Sequence, residues 1–88
     1  MEIDFDGKKS ERNRQERGFG FAFAARIFIG RTLISHARIE SGEARMKAVG
    51  RIEGVCYAVI FYEEGDIRRI VSARRANRKE TRQWLASE

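Results

Sequence analysis

Between Arg68 and Trp84 the chain reads RRIVSARRANRKETRQW, six arginines and one lysine, with Ile70, Val71, Ser72 and Ala73 between the first two basic pairs. A guanidinium meets a phosphate with two parallel N–H bonds and stays charged at any working pH. Such a segment suits gripping a nucleic-acid backbone or stabilising charge that builds on phosphorus. A second basic row lies upstream. If Ala44–Ile52 is a strand, Met46, Ala48, Gly50 and Ile52 share one face, and Arg45, Lys47, Val49 and Arg51 share the other. Arg74 and Arg75 are neighbours at a strand end, so only one of them can join that basic face. Arg74 is the favoured one; Arg69, Arg75, Arg78 and Arg82 read equally well as solvated surface.

Other catalytic chemistries lack their parts. The chain has no carboxylate pair at a suggestive spacing, no Gly-rich phosphate loop and no set of metal ligands. Its one histidine, His36, reads as an ordinary strand residue rather than a base. The lone Cys56, inside VCYAVIFY, reads as a small core residue and excludes a disulfide within the chain. RNA offers a route that needs neither metal nor cofactor. Its own 2′-hydroxyl can attack the adjacent phosphorus, and the protein need only orient the backbone and stabilise the negative transition state. Plain binding of RNA or DNA by the same basic face is the competing reading, and docking of an acidic protein partner is a third.

The charge distribution favours a polyanionic partner. The net charge is +5, yet residues 1–66 hold 11 basic and 11 acidic side chains, and residues 67–88 hold seven basic against two. With 88 residues, the chain is expected to be one domain with a thin core, since chains this short bury about 60–70% of their unfolded surface. A shallow groove is easier to build on such a core than a deep cofactor pocket. No apolar run approaches the ~20 residues of a membrane span and the charged start is no signal peptide, which points to a cytoplasmic protein without membrane contact.

The elements that must position these residues follow from pattern and punctuation. EIDF alternates as a short strand, and Asp6 can cap a helix over Gly7–Arg17 that ends at Gly18. That helix has no apolar residue and gains little from packing. FGFAFAARIFIG fits both periods; Phe21–Phe28 is assigned to helix, with its aromatic residues in the core. TLISHA is a short strand, followed by a loop at Ser41 and Gly42. Glu53 and Gly54 turn the basic strand into VCYAVIFY, apolar on both faces as in a central strand covered on both sides. EEGD turns into the last strand, IRRIVSAR. Asn77 and Glu80 form a capping box for a final helix whose apolar side is Thr81, Trp84 and Leu85.

The chain as a whole resembles the BrnT family of type II toxins, small ribonucleases related in fold to RelE toxins. IDFDGKK is similar to the family's opening Phe-x-Trp-Asp-x-x-Lys, with Ile3, Phe5, Asp6 and Lys9 in matching positions. GEARMKAVGR resembles its Gly-Glu-x-Arg-x-x-x-Ile-Gly, and RIVSARRANRKE its Arg-Ile-Ile-Ser-Ala-Arg-Arg-Ala. The resemblance implies one α+β domain over residues 1–88, RelE-like, with an antiparallel or mixed sheet, two helices before it and one after. It implies metal-free endoribonuclease activity that inhibits translation, and a DNA-binding antitoxin of the BrnA type through which the complex reaches operator DNA. By matching position it makes Lys9, Arg45, Arg51 and Arg74 the catalytic candidates, with Lys9 giving or taking a proton. Arg45 has a structural alternative, an ion pair with Glu43 or Glu63, and Arg51 could be hairpin surface. Lys47, Arg69, Arg75 and Arg78 are the RNA-binding candidates. The chain departs from the family where Lys-His-Gly usually ends the first helix, for it has Glu16, Arg17 and Gly18 there. If that histidine takes part in catalysis, its loss would weaken the activity.

Overall fold

The computed structural model describes the backbone of residues 1–88 and the side chains of residues 1–39 and 41–88. The chain runs β1 (Glu2–Phe5), α1 (Gly7–Arg17), α2 (Phe21–Ala24), a 3-10 helix (Ala25–Ile29), β2 (Leu33–Glu40), β3 (Glu43–Ile52), β4 (Val55–Glu64), β5 (Ile67–Arg75) and α3 (Arg78–Ala86). The five strands form one mixed sheet in the order β1-β5-β4-β3-β2. β1 lies parallel to β5 and the other pairs are antiparallel. The architecture is α+β, two helices before the main meander and one after it.

Two of the turns show why the meander forms. Ser41 and Gly42 have φ of 51° and 78°, and Glu53 and Gly54 have φ of 49° and 86°. Positive φ at both central residues is the geometry whose twist matches a two-residue hairpin. The tight turn at Ser41–Gly42 lets pairing continue to Glu40↔Glu43, so β2 extends past the TLISHA segment expected for it.

The core fills one face of the sheet. Phe21, Ala24 and Ile27 pack on Ala48, Ile52, Tyr57, Val59, Phe61, Ile70 and Ala73. Edge-on aromatic pairs, Phe5 with Phe21 and Phe28 with Phe61, add their quadrupole attraction to the buried area. Gly50 permits this layer: a Cβ there would lie 2.7 Å from Cβ of Ile27. The Phe-rich stretch is helical, as expected, but tightens into the 3-10 helix after Ala24.

On the opposite face the expectation of complete cover for β4 needs correction. α3 covers only one end, where Trp84 packs with Val49, Cys56 and Ala58. Trp84 also donates from Nε1 to the Arg31 carbonyl at 3.0 Å, and the Arg31 guanidinium stacks 3.8 Å from its ring. Leu85, assigned to the apolar side of α3, is 54% exposed, because the face α3 turns to the sheet is that of Glu80 and Trp84, four residues apart, and Leu85 lies off it. The other end of that face is left open.

α1 is held by polar contacts rather than an apolar stripe. The Asp6 carboxylate accepts from the amides of Lys8 and Lys9, and Gly18 closes the helix at φ 89°. The buried Asn13 donates from Nδ2 to the Phe19 carbonyl at 2.8 Å, and Ser10 Oγ accepts from the Phe21 amide at 2.8 Å. No described helix is long and apolar enough to cross a membrane.

Candidate functional site

The open end of the sheet is a cavity of about 600 Å³, walled by Lys9 of α1, His36, Ala37 and Arg38 of β2, Arg45 and Lys47 of β3, Ile60 of β4, and Val71, Ser72 and Arg74 of β5. Five cations from four elements converge there. Strand alternation explains the set. Lys47 is paired with Ile60, and Ile60 with Ser72, so these neighbours share the face away from the aromatic core. A slip in the β4–β5 register, between Ile60/Phe61, leaves Val71 without a partner on β4 and sets Arg74 rather than Arg75 toward the cavity. Arg75 is exposed on the other side.

One buried carboxylate organises two of the cations. Glu80, 3% exposed, accepts from Arg74 Nη1 at 2.7 Å and Nη2 at 2.9 Å, and from Lys47 Nζ at 2.8 Å. Its Oε1 also closes the capping box by accepting from the Asn77 amide at 2.9 Å. The two bonds from Arg74, more than any other contact, hold this carboxyl well below the usual carboxylate range. Lys47 and the Asn77 amide lower it further, against the opposing effect of burial. The same bonds push the Arg74 guanidinium upward. Among the described residues Arg74 spends three of its five N–H groups, two on Glu80 and one on the Arg75 carbonyl at 3.3 Å. Nε–H and one Nη2–H remain for a ligand. Arg45 is held over the Tyr62 ring at 4.7 Å, with Glu43 Oε1 at 3.9 Å.

Of the residues singled out from the sequence, Lys9, Arg45, Lys47 and Arg74 are brought together. Arg51 is not. It lies at the covered end of the face with its guanidinium 5.8 Å from the Trp84 ring, because β3 carries it past Lys47 and under α3. Arg69 donates to Asp4 Oδ2 at 2.6 Å across the β1–β5 pair. Arg78 lies with Arg82 and Leu85 on the outer side of α3. Arg17, which occupies the position of the family's histidine, donates from Nη1 to the Ala73 carbonyl at 2.8 Å.

Sequence reasoning passed over two residues of the site. His36 is an exposed strand residue, as read; it borders the cavity, but its pairing with Met46 sets its side chain on the opposite face of the sheet. Arg38 arrives there opposite Arg45 through a β2 irregularity between His36/Arg38, which no residue pattern announces. Glu80 was legible only as half of a capping box.

No curated protein matches the chain. Residues 5–80 match the family described as ribonuclease toxin, BrnT, of type II toxin–antitoxin system. The matched span runs from the end of β1 to Glu80, so it takes in all five cavity cations and their buried carboxylate; the chain belongs to the BrnT family of ribonuclease toxins.

Proposed function

We propose that the whole chain, residues 1–88, acts as one RelE-like toxin domain that cleaves RNA without a metal and so inhibits translation in the cytoplasm. The observation that carries this reading is the convergence of Lys9, Arg45, Lys47 and Arg74, distant in sequence, on one open cavity. An RNA phosphate seated there meets charge from several directions, and low-dielectric walls strengthen each interaction. Arg74, fixed by Glu80, presents its remaining N–H groups to a non-bridging oxygen, while Arg45 and Lys47 neutralise the charge that grows in the transition state. The 2′-oxygen bonds to phosphorus as the bond to the 5′-oxygen breaks, leaving a 2′,3′-cyclic phosphate and a 5′-hydroxyl. One proton leaves the 2′-hydroxyl and one reaches the departing oxygen.

Lys9, at the cavity rim, is the residue that gives or takes a proton in this scheme. An imidazole is the commonest general acid–base group. The departure at Glu16–Gly18 removes one from α1, and His36, paired with Met46, belongs to the opposite face of the sheet and does not replace it. Arg51, Arg69, Arg75 and Arg78 lie outside the cavity; in this reading Arg51 supports α3, and the others contribute to RNA affinity at most through the long-range field. The family pairs its toxins with a protein antitoxin. Here that partner is of the BrnA type, a DNA-binding protein that neutralises the toxin and connects the complex to operator DNA.

The test is incubation of the purified protein with RNA in EDTA, beside R74K, which keeps the charge but loses the fork that grips Glu80. Fragments ending in 2′,3′-cyclic phosphate, strongly reduced with R74K at equal thermal stability, are the expected result. Salt-sensitive binding with intact RNA would instead establish a non-enzymatic binding module or a degenerate toxin.

A further inference from the structure

Beside the large cavity lies a smaller one of about 170 Å³, and the two share Lys9, Val71 and Ser72. The shared wall arises from the way β5 outruns its neighbour. β1 pairs with β5 only as far as Phe5↔Ile70, and beyond that point no described strand flanks β5 on the β1 side. Main-chain groups that leave a ladder need other partners. Arg17 takes one of them, the Ala73 carbonyl, and its Nη1 lies 3.5 Å from Ser72 Oγ. α1 forms the other bank of this trough with Arg12, Asn13 and Glu16, and Phe21 lies beneath.

The trough is cationic, since Lys9, Arg12 and Arg17 face the single carboxylate of Glu16. Arg12 is exposed, and among the described residues no carboxylate pairs with it. Lys9 and Arg12 are three residues apart on one helix face, about 4.5 Å along the axis. With the reach of their long side chains, that spacing suits neighbouring phosphates of one strand. At about 170 Å³ the smaller cavity is of a size for a single phosphate group rather than a folded partner.

We propose that the α1–β5 trough is a subsite for the phosphate flanking the scissile one, with Arg12 as its main ligand, so that the RNA strand leaves the large cavity past Lys9. The subsite rests on the reading of the large cavity as an RNA site and deepens it. It makes the toxin prefer a substrate that extends beyond the cleaved dinucleotide on one side.

Short 2′-fluoro oligonucleotides lack the attacking hydroxyl and report binding alone. Their affinities for the wild type, R12A and R74K would be measured by fluorescence anisotropy at several salt concentrations, from the dinucleotide, with its single phosphate, upward. In the wild type, affinity steps up once the flanking phosphate is added. R12A abolishes that step, weakening the longer oligonucleotides roughly tenfold and lowering the salt slope by about 0.7, the value for one phosphate contact on a single strand. It leaves dinucleotide binding unchanged, whereas R74K weakens every length. R12E deepens the R12A effect. Equal loss at all lengths with R12A, or none at any, overturns the subsite while leaving the main cavity's assignment standing. Failure of the wild type to bind at every length overturns both.

Discussion

Lys9 and Arg51, two cations matched to the family by position, are placed very differently. Lys9 is exposed at the cavity rim, where removing its side chain disturbs no packing. K9A is expected to lower RNA cleavage by about 100-fold, within the usual span for loss of a general acid–base group, with Tm unchanged. Arg51 sits over Trp84. R51A is expected to cleave RNA at the wild-type rate but melt a few degrees lower, since an exposed cation–π contact contributes about 0.5–1 kcal/mol; comparing melts with initial cleavage rates checks both. Glu80 differs from each, because its removal strands two cations and opens a helix cap. E80A is expected to cost about 1–3 kcal/mol in urea unfolding, from the lost charge-assisted bonds and the opened helix cap, since water reaches the two cations left behind. The capping role was legible from Asn77 and Glu80 three residues apart. The carboxylate's grip on Lys47 was not, for those residues are far apart in the chain and meet only when α3 docks.

Among the elements, α1 and the 3-10 helix show what pattern reading reaches. The bounds of α1 follow from Asp6 and Gly18, two residues whose local chemistry decides a helix end. Its attachment to the body through Asn13, Ser10 and Arg17 is not local, and no periodicity encodes it. The Phe-rich segment fitted strand and helix periods alike; packing on Tyr57, Phe61 and Gly50 selects the helical form. The close approach at Gly50 gives a test. G50A is expected to lower the urea midpoint, costing about 1–3 kcal/mol by overpacking against Ile27. G30A, where an added Cβ meets nothing within 4 Å and φ is −107°, should be tolerated.

At the scale of the whole molecule, the sheet separates a packed face from a charged one: one face is filled by the aromatic layer, and the other is half covered by α3 and otherwise cationic. The two are joined at Glu80, which makes stability depend on acid. The folded chain keeps Glu80 ionised at pH values where the unfolded chain protonates it, near the ordinary value of 4.5. The unfolded state therefore binds more protons as pH falls through that region, and the stability from the ion pairs, fully present at neutral pH, drains away toward the depressed folded value. Urea unfolding at pH 7, 5 and 3 is expected to show the wild type losing more stability than E80Q between the last two.

The sequence by itself determined the elements, their main turns, the family and the residue types available for phosphate chemistry, because caps, hairpin turns and strand alternation are decided within a few residues. It also determined that Arg74 and Arg75 could not both join one face. Only the tertiary structure decided which cations share the cavity. The unpartnered Val71, the irregularity between His36/Arg38 and the docking of Trp84 bring in Arg38, exclude Arg51, and bind Lys47 and Arg74 to one carboxylate. Each of those outcomes depends on register and packing between segments distant in the chain, where a shift of one residue reverses the face a side chain occupies.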